Sequence, residues 1–343
     1  MEKLYSSIKR ILYAKALLPL FVFLIASLSS NAQITVADNQ TAAALASALA
    51  GGGVTIISPT LICNPSANGK FTTGAISPLG IPFGIVLSSG STIDTTISGT
   101  TFIGISHPAS MFADGAMLTD YHDADLAALE STPTSNTHDA CVLQFDFKAA
   151  GDTIKFDYVF GSEEYPEWAC TGFNDVFGFL ISGGVTSPLT SYPTPYNIAR
   201  VPGTTIPVCI NSVTCESGAS CTAMGPGSPF CAYYIDNSAS TTLVYDGMTV
   251  VLQAIAAVSP CDTYHLKLGV ADVGDDAYDS GVFIRGGEPY FYSAYCNFRF
   301  RYWWLALLRT RLPSRAVCFL YSNSAGYRGA HTLYDYRNSC KRT

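Results

Sequence analysis

Three short segments of this chain crowd carboxylates beside turns. The first is Val159-Phe-Gly-Ser-Glu-Glu-Tyr-Pro-Glu167, followed closely by Phe173-Asn-Asp-Val-Phe177. The second pairs Tyr234-Ile-Asp-Asn237 with Tyr245-Asp-Gly247, and the third is Ala271-Asp-Val-Gly-Asp-Asp-Ala-Tyr-Asp-Ser-Gly281. The third places Asp272, Asp275, Asp276 and Asp279 within eight residues. Like charges at such spacing repel by about 1 kcal/mol per pair even in water, and a hard cation removes that cost. Ca²⁺ takes about six to eight oxygens from carboxylates and carbonyls, and Gly-containing loops supply both. The Asp-x-Asp-x-Asp-Gly order of an EF-hand loop is absent. The expected site is therefore irregular: Asp272, Asp275, Asp276 and Asp279 around Ca²⁺, with Glu163, Glu164 and Asp175 as a further group of ligands. The competing reading is a solvated acidic loop that only makes turns.

Catalytic readings of the same residues are weaker. Asp279-Ser-Gly281 matches the aspartic-protease tripeptide, but a second copy is missing. Glycoside hydrolysis needs two carboxylates about 5–9 Å apart across a cleft. Glu163 and Glu164 are adjacent, and neighbours on a strand point to opposite faces. His107, His122, His138 and His265 lie in no Gly-x-Ser-x-Gly context. His265 falls on the wet face of a strand, where pairing with a neighbour is the simplest role. No phosphate-cradling Gly loop or dinucleotide fingerprint is present. The leading expectation is a non-catalytic module for adhesion or ligand display, meeting an extracellular glycan or protein surface. The alternative is a secreted polysaccharide-acting hydrolase or glycan-binding module, with Tyr165, Trp168, Tyr233 and Tyr234 lining a groove.

Charge is distributed in three unlike segments of the 343 residues. Residues 33–290 carry 6 basic and 24 acidic side chains. Such a segment repels phosphate, which excludes nucleic acid as a partner and invites cations. Residues 1–32 read as a signal peptide: Lys9, Arg10 and Lys15, then an apolar stretch from Ala16 to Ala26, then Ser30-Asn31-Ala32. That stretch is shorter than the roughly 18–20 apolar residues of a membrane anchor. Residues 291–343 hold 9 basic and 1 acidic side chains and two of the three Trp. Their apolar and basic residues keep no sustained period. An out-of-frame translation beginning near residues 286–291 accounts for this better than a basic membrane-binding tail does.

Eight cysteines fall within 33–290, and none forms a close C-x-x-C pair of the kind a structural zinc site uses. An even number in an exported chain favours disulfides, with the pairing left open. The Ser, Gly and Pro rich stretch between Cys209 and Cys231 reads as a stapled long loop.

The elements that must carry these loops are strands. Leu143, Phe145 and Phe147 alternate with Gln144, Asp146 and Lys148. Ile154, Phe156, Tyr158 and Phe160 alternate with Lys155 and Asp157 on the other side, and Tyr264, Leu266, Leu268 and Val270 oppose His265, Lys267 and Gly269. Each such strand has one dry and one wet face. Further strands are expected at 54–62, 84–88, 175–181, 206–210, 248–257 and 280–285. One helix is expected over Thr41–Ala50, capped by Asp38 or Asn39 and closed by Gly51-Gly52-Gly53. The result is an all-β, antiparallel β-sandwich or jelly-roll-like single domain over 33–290 with one short N-terminal helix.

Several of these segments, in this order, resemble the choice-of-anchor L domain family. They are Val159-Phe-Gly-Ser-Glu-Glu-Tyr-Pro-Glu167, Phe173-Asn-Asp-Val-Phe-Gly-Phe179, Asn197-Ile-Ala-Arg-Val-Pro-Gly203, Tyr245-Asp-Gly-Met-Thr249 and the run from Tyr264 to Phe283. The resemblance runs from about Asp38 to Gly287. It implies a secreted or outer-surface domain of Bacteroidetes-type bacteria, usually N-terminal in a larger protein with a separate sorting or anchoring module. It implies no particular biochemical activity. The resemblance leads to the expectation of further repeats and a sorting domain after Phe283, a pattern from which residues 291–343 depart.

Overall fold

A computed structural model of the chain describes residues 34–50, 54–74, 77–111 and 119–287. The signal peptide read in 1–32, the helix-closing Gly51-Gly52-Gly53 and the atypical tail 291–343 lie outside the described residues. In chain order the elements begin with β1 (Thr35–Asp38), α1 (Ala42–Leu49), β2 (Thr55–Ile62), β3 (Asn68–Thr72) and β4 (Phe83–Ser88). There follow β5 (Thr95–Ile97), β6 (Thr100–Phe102), α2 (Ala124–Leu129), β7 (Thr137–Lys148), β8 (Thr153–Ser162) and β9 (Val176–Gly183). The chain continues with β10 (Tyr192–Asn197), α3 (Ala219–Ala223), β11 (Tyr234–Asp236), β12 (Gly247–Thr249), β13 (Leu252–Ala257), β14 (Thr263–Val273) and β15 (Ser280–Arg285).

The strands form two main antiparallel sheets. One runs β1-β3-β4-β15-β8-β12-β11, with β13 also paired to β8. The other runs β10-β9-β14-β7-β2, and β5 with β6 makes a separate hairpin. The apolar positions expected to point one way do so. Leu143, Phe145 and Phe147 of one sheet meet Ile154, Phe156, Tyr158 and Phe160 of the other in a single buried cluster with Tyr264, Leu266, Leu268 and Val270. Aromatic rings bridge the layers: Tyr158 lies 5.1 Å from Phe179, and Phe160 stacks on Phe177 at 5.0 Å. Burial of such side chains contributes roughly 1.5–3 kcal/mol each. Helix α1 closes one end with Leu45, Ala46 and Leu49.

Several expectations need correcting. The outer faces are not simply wet. Phe71, Val86, Val159, Tyr245, Met248 and Phe283 form a second buried cluster on the back of the larger sheet. Helix α2 lays Leu126 against Val142, Val176 and Ala271 on the back of the smaller one. There are three short helices among the described residues, not one. Thr41, rather than Asp38 or Asn39, caps α1, its hydroxyl accepting from the Ala44 N–H. Residues 206–210 form no strand and contribute only isolated bridges, Arg200 to Pro207 and Val176 to Cys209. The run 248–257 is broken into β12 and β13, which pair successive parts of β8.

Disulfides join Cys63 to Cys141, Cys170 to Cys221 and Cys215 to Cys231, and Cys261 is disulfide-bonded as well. Cys209 is a free, buried thiol, so the even count does not translate into complete pairing. Its packing explains the exception: burial pushes the thiol up to about 12, which keeps it protonated and unreactive.

Candidate functional site: a buried acidic end of the sandwich

At one end of the sandwich the inward-facing positions change from apolar to acidic. Along β14, Tyr264, Leu266, Leu268 and Val270 point inward, and the next position in the same phase is Asp272. Along β7, Cys141, Leu143, Phe145 and Phe147 point inward, and Asp139, at φ 45°, lies where the register with β14 shifts between Cys141 and His138. Phe177, Phe179 and Ile181 of β9 lead back to Asp175, and the inward run of β8 ends at Ser162 with Glu164 two residues on. The register places these termini together, since Ala271 pairs with Val176, Asp272 with His138, and Ser280 with Ser162. Antiparallel pairing thus gathers the ends of five strands at one spot.

Asp139, Glu163, Glu164, Asp175, Asp272 and Asp279 are all buried there. Asp175 is the best satisfied. Its Oδ1 accepts from the Val273 N–H at 3.0 Å and its Oδ2 from the Ser280 hydroxyl at 2.7 Å. Asp272 is the opposite case: it is 1% exposed, and among the described residues no backbone N–H or cationic side chain reaches its carboxylate oxygens. Glu164 Oε2 is likewise buried without a hydrogen-bond partner. The chain around them is held rigidly. The Glu163 N–H donates to the Asp279 carbonyl, the Glu164 N–H to the Ser162 hydroxyl, and the Ser280 N–H to the Ser89 hydroxyl.

Burial disfavours ionised carboxylates, and crowding them disfavours it further. Desolvation, then the negative charges of Asp175 and Asp275, raise Glu164 to about 9. Desolvation raises Asp175 to about 7 despite the lowering effect of its Ser280 and Val273 hydrogen bonds. Asp272 is raised well above the ordinary range, first by burial and then by Asp175 and Asp279, with the Ser89 hydroxyl acting against the shift. Neutral water therefore leaves this cluster holding protons unless a cation takes their place.

Of the residues singled out from sequence, Glu164 lies close to Asp175, Asp272 lies close to Asp175 and Asp279, and Glu163 is tied to Asp279 through the backbone. Among the described residues, no three of these carboxylates bring their oxygens within 4.8 Å of one another. Asp275 is half-buried at the margin, close enough for its charge to act on Glu164 and Asp175. Asp276 is exposed in the turn. Sequence reasoning missed Asp139, which is placed by the register shift at the start of β7, a feature that alternation does not show. It also missed Gly90, Ser89 and Tyr245, which come from elements distant in sequence. The Tyr245 hydroxyl lies 3.0 Å from that of Ser88, and its ring fits only because Gly161 and Gly281 lack side chains.

The other residues considered for chemistry are placed differently. Tyr165 is fully buried and donates to the Val213 carbonyl, so it lines no groove. Trp168 is partly exposed beside Phe173 and Tyr278. His265 pairs with Asp146 at 2.8 Å, as its wet-face position suggested.

The Choice-of-anchor L domain model matches residues 33–289. The chain belongs to this family. No match was found among curated proteins or solved structures. The Choice-of-anchor L domain is not a known enzyme family, and together with the disulfides it points to a secreted or surface protein. No helix among the described residues is long and apolar enough to cross a membrane. The acidic end is thus built into the body of the Choice-of-anchor L domain, where the ends of β7, β8, β9, β14 and β15 converge.

Proposed function

We propose that this Choice-of-anchor L domain is a non-catalytic β-sandwich module for adhesion or ligand display, whose acidic end binds Ca²⁺. The observation that carries the reading is Asp272, whose buried carboxylate sits beside Asp175 and Asp279 and meets no backbone N–H or cationic side chain among the described residues. Leaving a charged group buried and unsatisfied costs several kcal/mol, and folds avoid it unless a counter-ion is supplied. A hard cation with flexible oxygen coordination suits carboxylates of this kind. Glu163, Glu164, Asp175, Asp272 and Asp279 are the residues that would hold it, with Asp275 at the rim. Its role is structural: it would tie β8, β9, β14 and β15 together at the loops that such a module presents outward. A partner on an extracellular glycan or protein surface fits this arrangement.

The competing glycan-binding reading rests on Trp168, which offers an exposed ring next to Tyr278 at the edge of the acidic end. Hydrolysis finds less support, because the candidate carboxylates are buried together and do not face one another across an open groove.

The test is calorimetric titration of CaCl₂ into the EDTA-stripped full-length chain, with melting curves at each concentration. A saturable heat and a rise in melting temperature with Ca²⁺ are expected. Absence of both at millimolar Ca²⁺ overturns the calcium reading.

A further inference from the structure

We propose a second metal site, for a borderline divalent ion such as Zn²⁺, Ni²⁺ or Cu²⁺, formed by Asp120, His122 and His138. These residues each offer one ligand atom, and the three atoms lie within 4.8 Å of one another. The set differs in kind from the acidic end, since two imidazoles and one carboxylate suit a borderline ion better than Ca²⁺.

The atoms of these side chains are oriented from outside the triad. Asp120 Oδ1 accepts from the Asp139 backbone N–H at 3.1 Å, which turns Oδ2 toward both imidazoles. That Oδ2 lies 3.1 Å from His138 Nδ1 and 3.7 Å from His122 Nε2. His122 Nδ1 is hydrogen-bonded to the Thr137 carbonyl. A carbonyl can only accept, so Nδ1 carries the proton and the neutral ring has its lone pair on Nε2. This is the arrangement in which a ligating histidine is fixed by donating its other N–H to a backbone carbonyl. A lone pair on Nε2 that faces a carboxylate oxygen repels it unless a positive species lies between them.

The spacing suits that species. With metal–ligand bonds of about 2.0–2.2 Å, tetrahedral ligand atoms sit about 3.4 Å apart, between the two separations observed. The rings of His122 and His138 meet edge to face, with centroids 5.4 Å apart, so neither stacks over the other's nitrogens. All three side chains are reachable from solvent, at 47%, 39% and 23% exposure for Asp120, His122 and His138. Three protein ligands with solvent access leave a fourth position for water or for a group on a bound partner. The ion would clip the segment leading into α2 onto the start of β7.

The experiment is titration of ZnCl₂ into the EDTA-stripped full-length chain by calorimetry, with CoCl₂ as a spectroscopic probe. One equivalent of Zn²⁺ is expected to bind, and Co²⁺ to give a visible ligand-field band. His122→Ala and His138→Ala, each checked for an unchanged circular dichroism spectrum, should each weaken Zn²⁺ binding at least tenfold and abolish the Co²⁺ band. Their Ca²⁺-dependent melting shift should equal that of the parent chain, which separates this site from the acidic end. Should a histidine variant fail to fold, His122→Gln serves in its place. Zn²⁺ binding that is absent, or that survives both histidine substitutions, overturns the proposal.

Discussion

The carboxylate of Asp279 occupies the space that a side chain at Gly90 would fill: a Cβ there would lie 1.5 Å from Oδ2 and 1.9 Å from Cγ. Gly90 follows β4, and Asp279 immediately precedes β15, so the two edges of the acidic end close on one another through a missing side chain. Asp279 is short and 3% exposed, and cannot swing aside into solvent. Replacement Gly90→Ala is therefore expected to destabilise the chain by about 1–3 kcal/mol, the usual cost of overfilling a packed site. Urea unfolding of the variant would read the loss directly as a lower midpoint at unchanged slope. A midpoint equal to the parent's would mean that Asp279 is free to move.

The raised carboxyl groups give the stability a definite dependence on pH. Glu164 and Asp175 sit at about 9 and about 7 in the fold, against ordinary values of 4.5 and 3.8. Between those limits the folded chain holds more protons than the unfolded one. The contribution is complete below the ordinary values and is lost as pH rises through the folded ones, at about 1.4 kcal/mol per pH unit for each excess proton. In EDTA the melting temperature should fall as pH is raised from 5 to 8. Saturating Ca²⁺ should flatten that fall, because the ion replaces the protons and releases them. Melting curves at several pH values, with and without Ca²⁺, check both halves. A melting temperature in EDTA that rises over this range contradicts the assignment.

Asp272→Asn should have opposite effects with and without the ion. In EDTA at pH 8 the amide removes a carboxyl whose ionisation burial, Asp175 and Asp279 all oppose, so stability should match or exceed that of the parent. With Ca²⁺ present the variant should gain at most a small fraction of the parent's shift, since it lacks one anionic ligand. The parent itself should gain about 2.7 kcal/mol at a Ca²⁺ concentration one hundred times the dissociation constant. An undiminished Ca²⁺ shift in the variant would remove Asp272 from the site.

How much of this was legible in sequence depended on range. The alternation in 143–147, 154–160 and 264–270 fixed which residues face the core, because a strand's period of two leaves little freedom once one face is buried. Continued one step further, the same phase leads to Asp175 and Asp272, so the acidic end was partly written in the strands, whereas Asp139 is set by a register shift that alternation does not show. Asp276 shares the composition of its loop but stands outside, since a turn carries no such phase. Gly90, Ser89 and Tyr245 were invisible because they reach the site through sheet pairing between distant strands. The short helices α2 and α3 escaped for a related reason: six and five residues give too few turns for a periodicity to show. The cap of α2, Asp123 accepting from the Asp125 and Leu126 N–H groups, was the available cue.

The Cys170–Cys221 disulfide should matter for the acidic end beyond its effect on global stability. It ties the loop between Glu163 and Asp175 to α3, and the same loop is held by the Cys170 N–H donating to Asn211 Oδ1 at 2.5 Å. Closing a span of 51 residues contributes on the order of 4 kcal/mol by restricting the unfolded chain. Replacing both cysteines by serine should lower the unfolding free energy by about 2–4 kcal/mol. It should also weaken Ca²⁺ binding, because Glu163, Glu164 and Asp175 would have to be ordered by the ion itself, at about 1–2 kcal/mol per residue fixed. The corresponding double replacement of Cys63 and Cys141, which staples β7 to the residue after β2, offers the control. It should cost comparable stability and leave Ca²⁺ affinity within a factor of about three. Equal losses of Ca²⁺ affinity in the two variants, measured by calorimetry below either melting transition, would show that the bridge near the site has no special part in holding it.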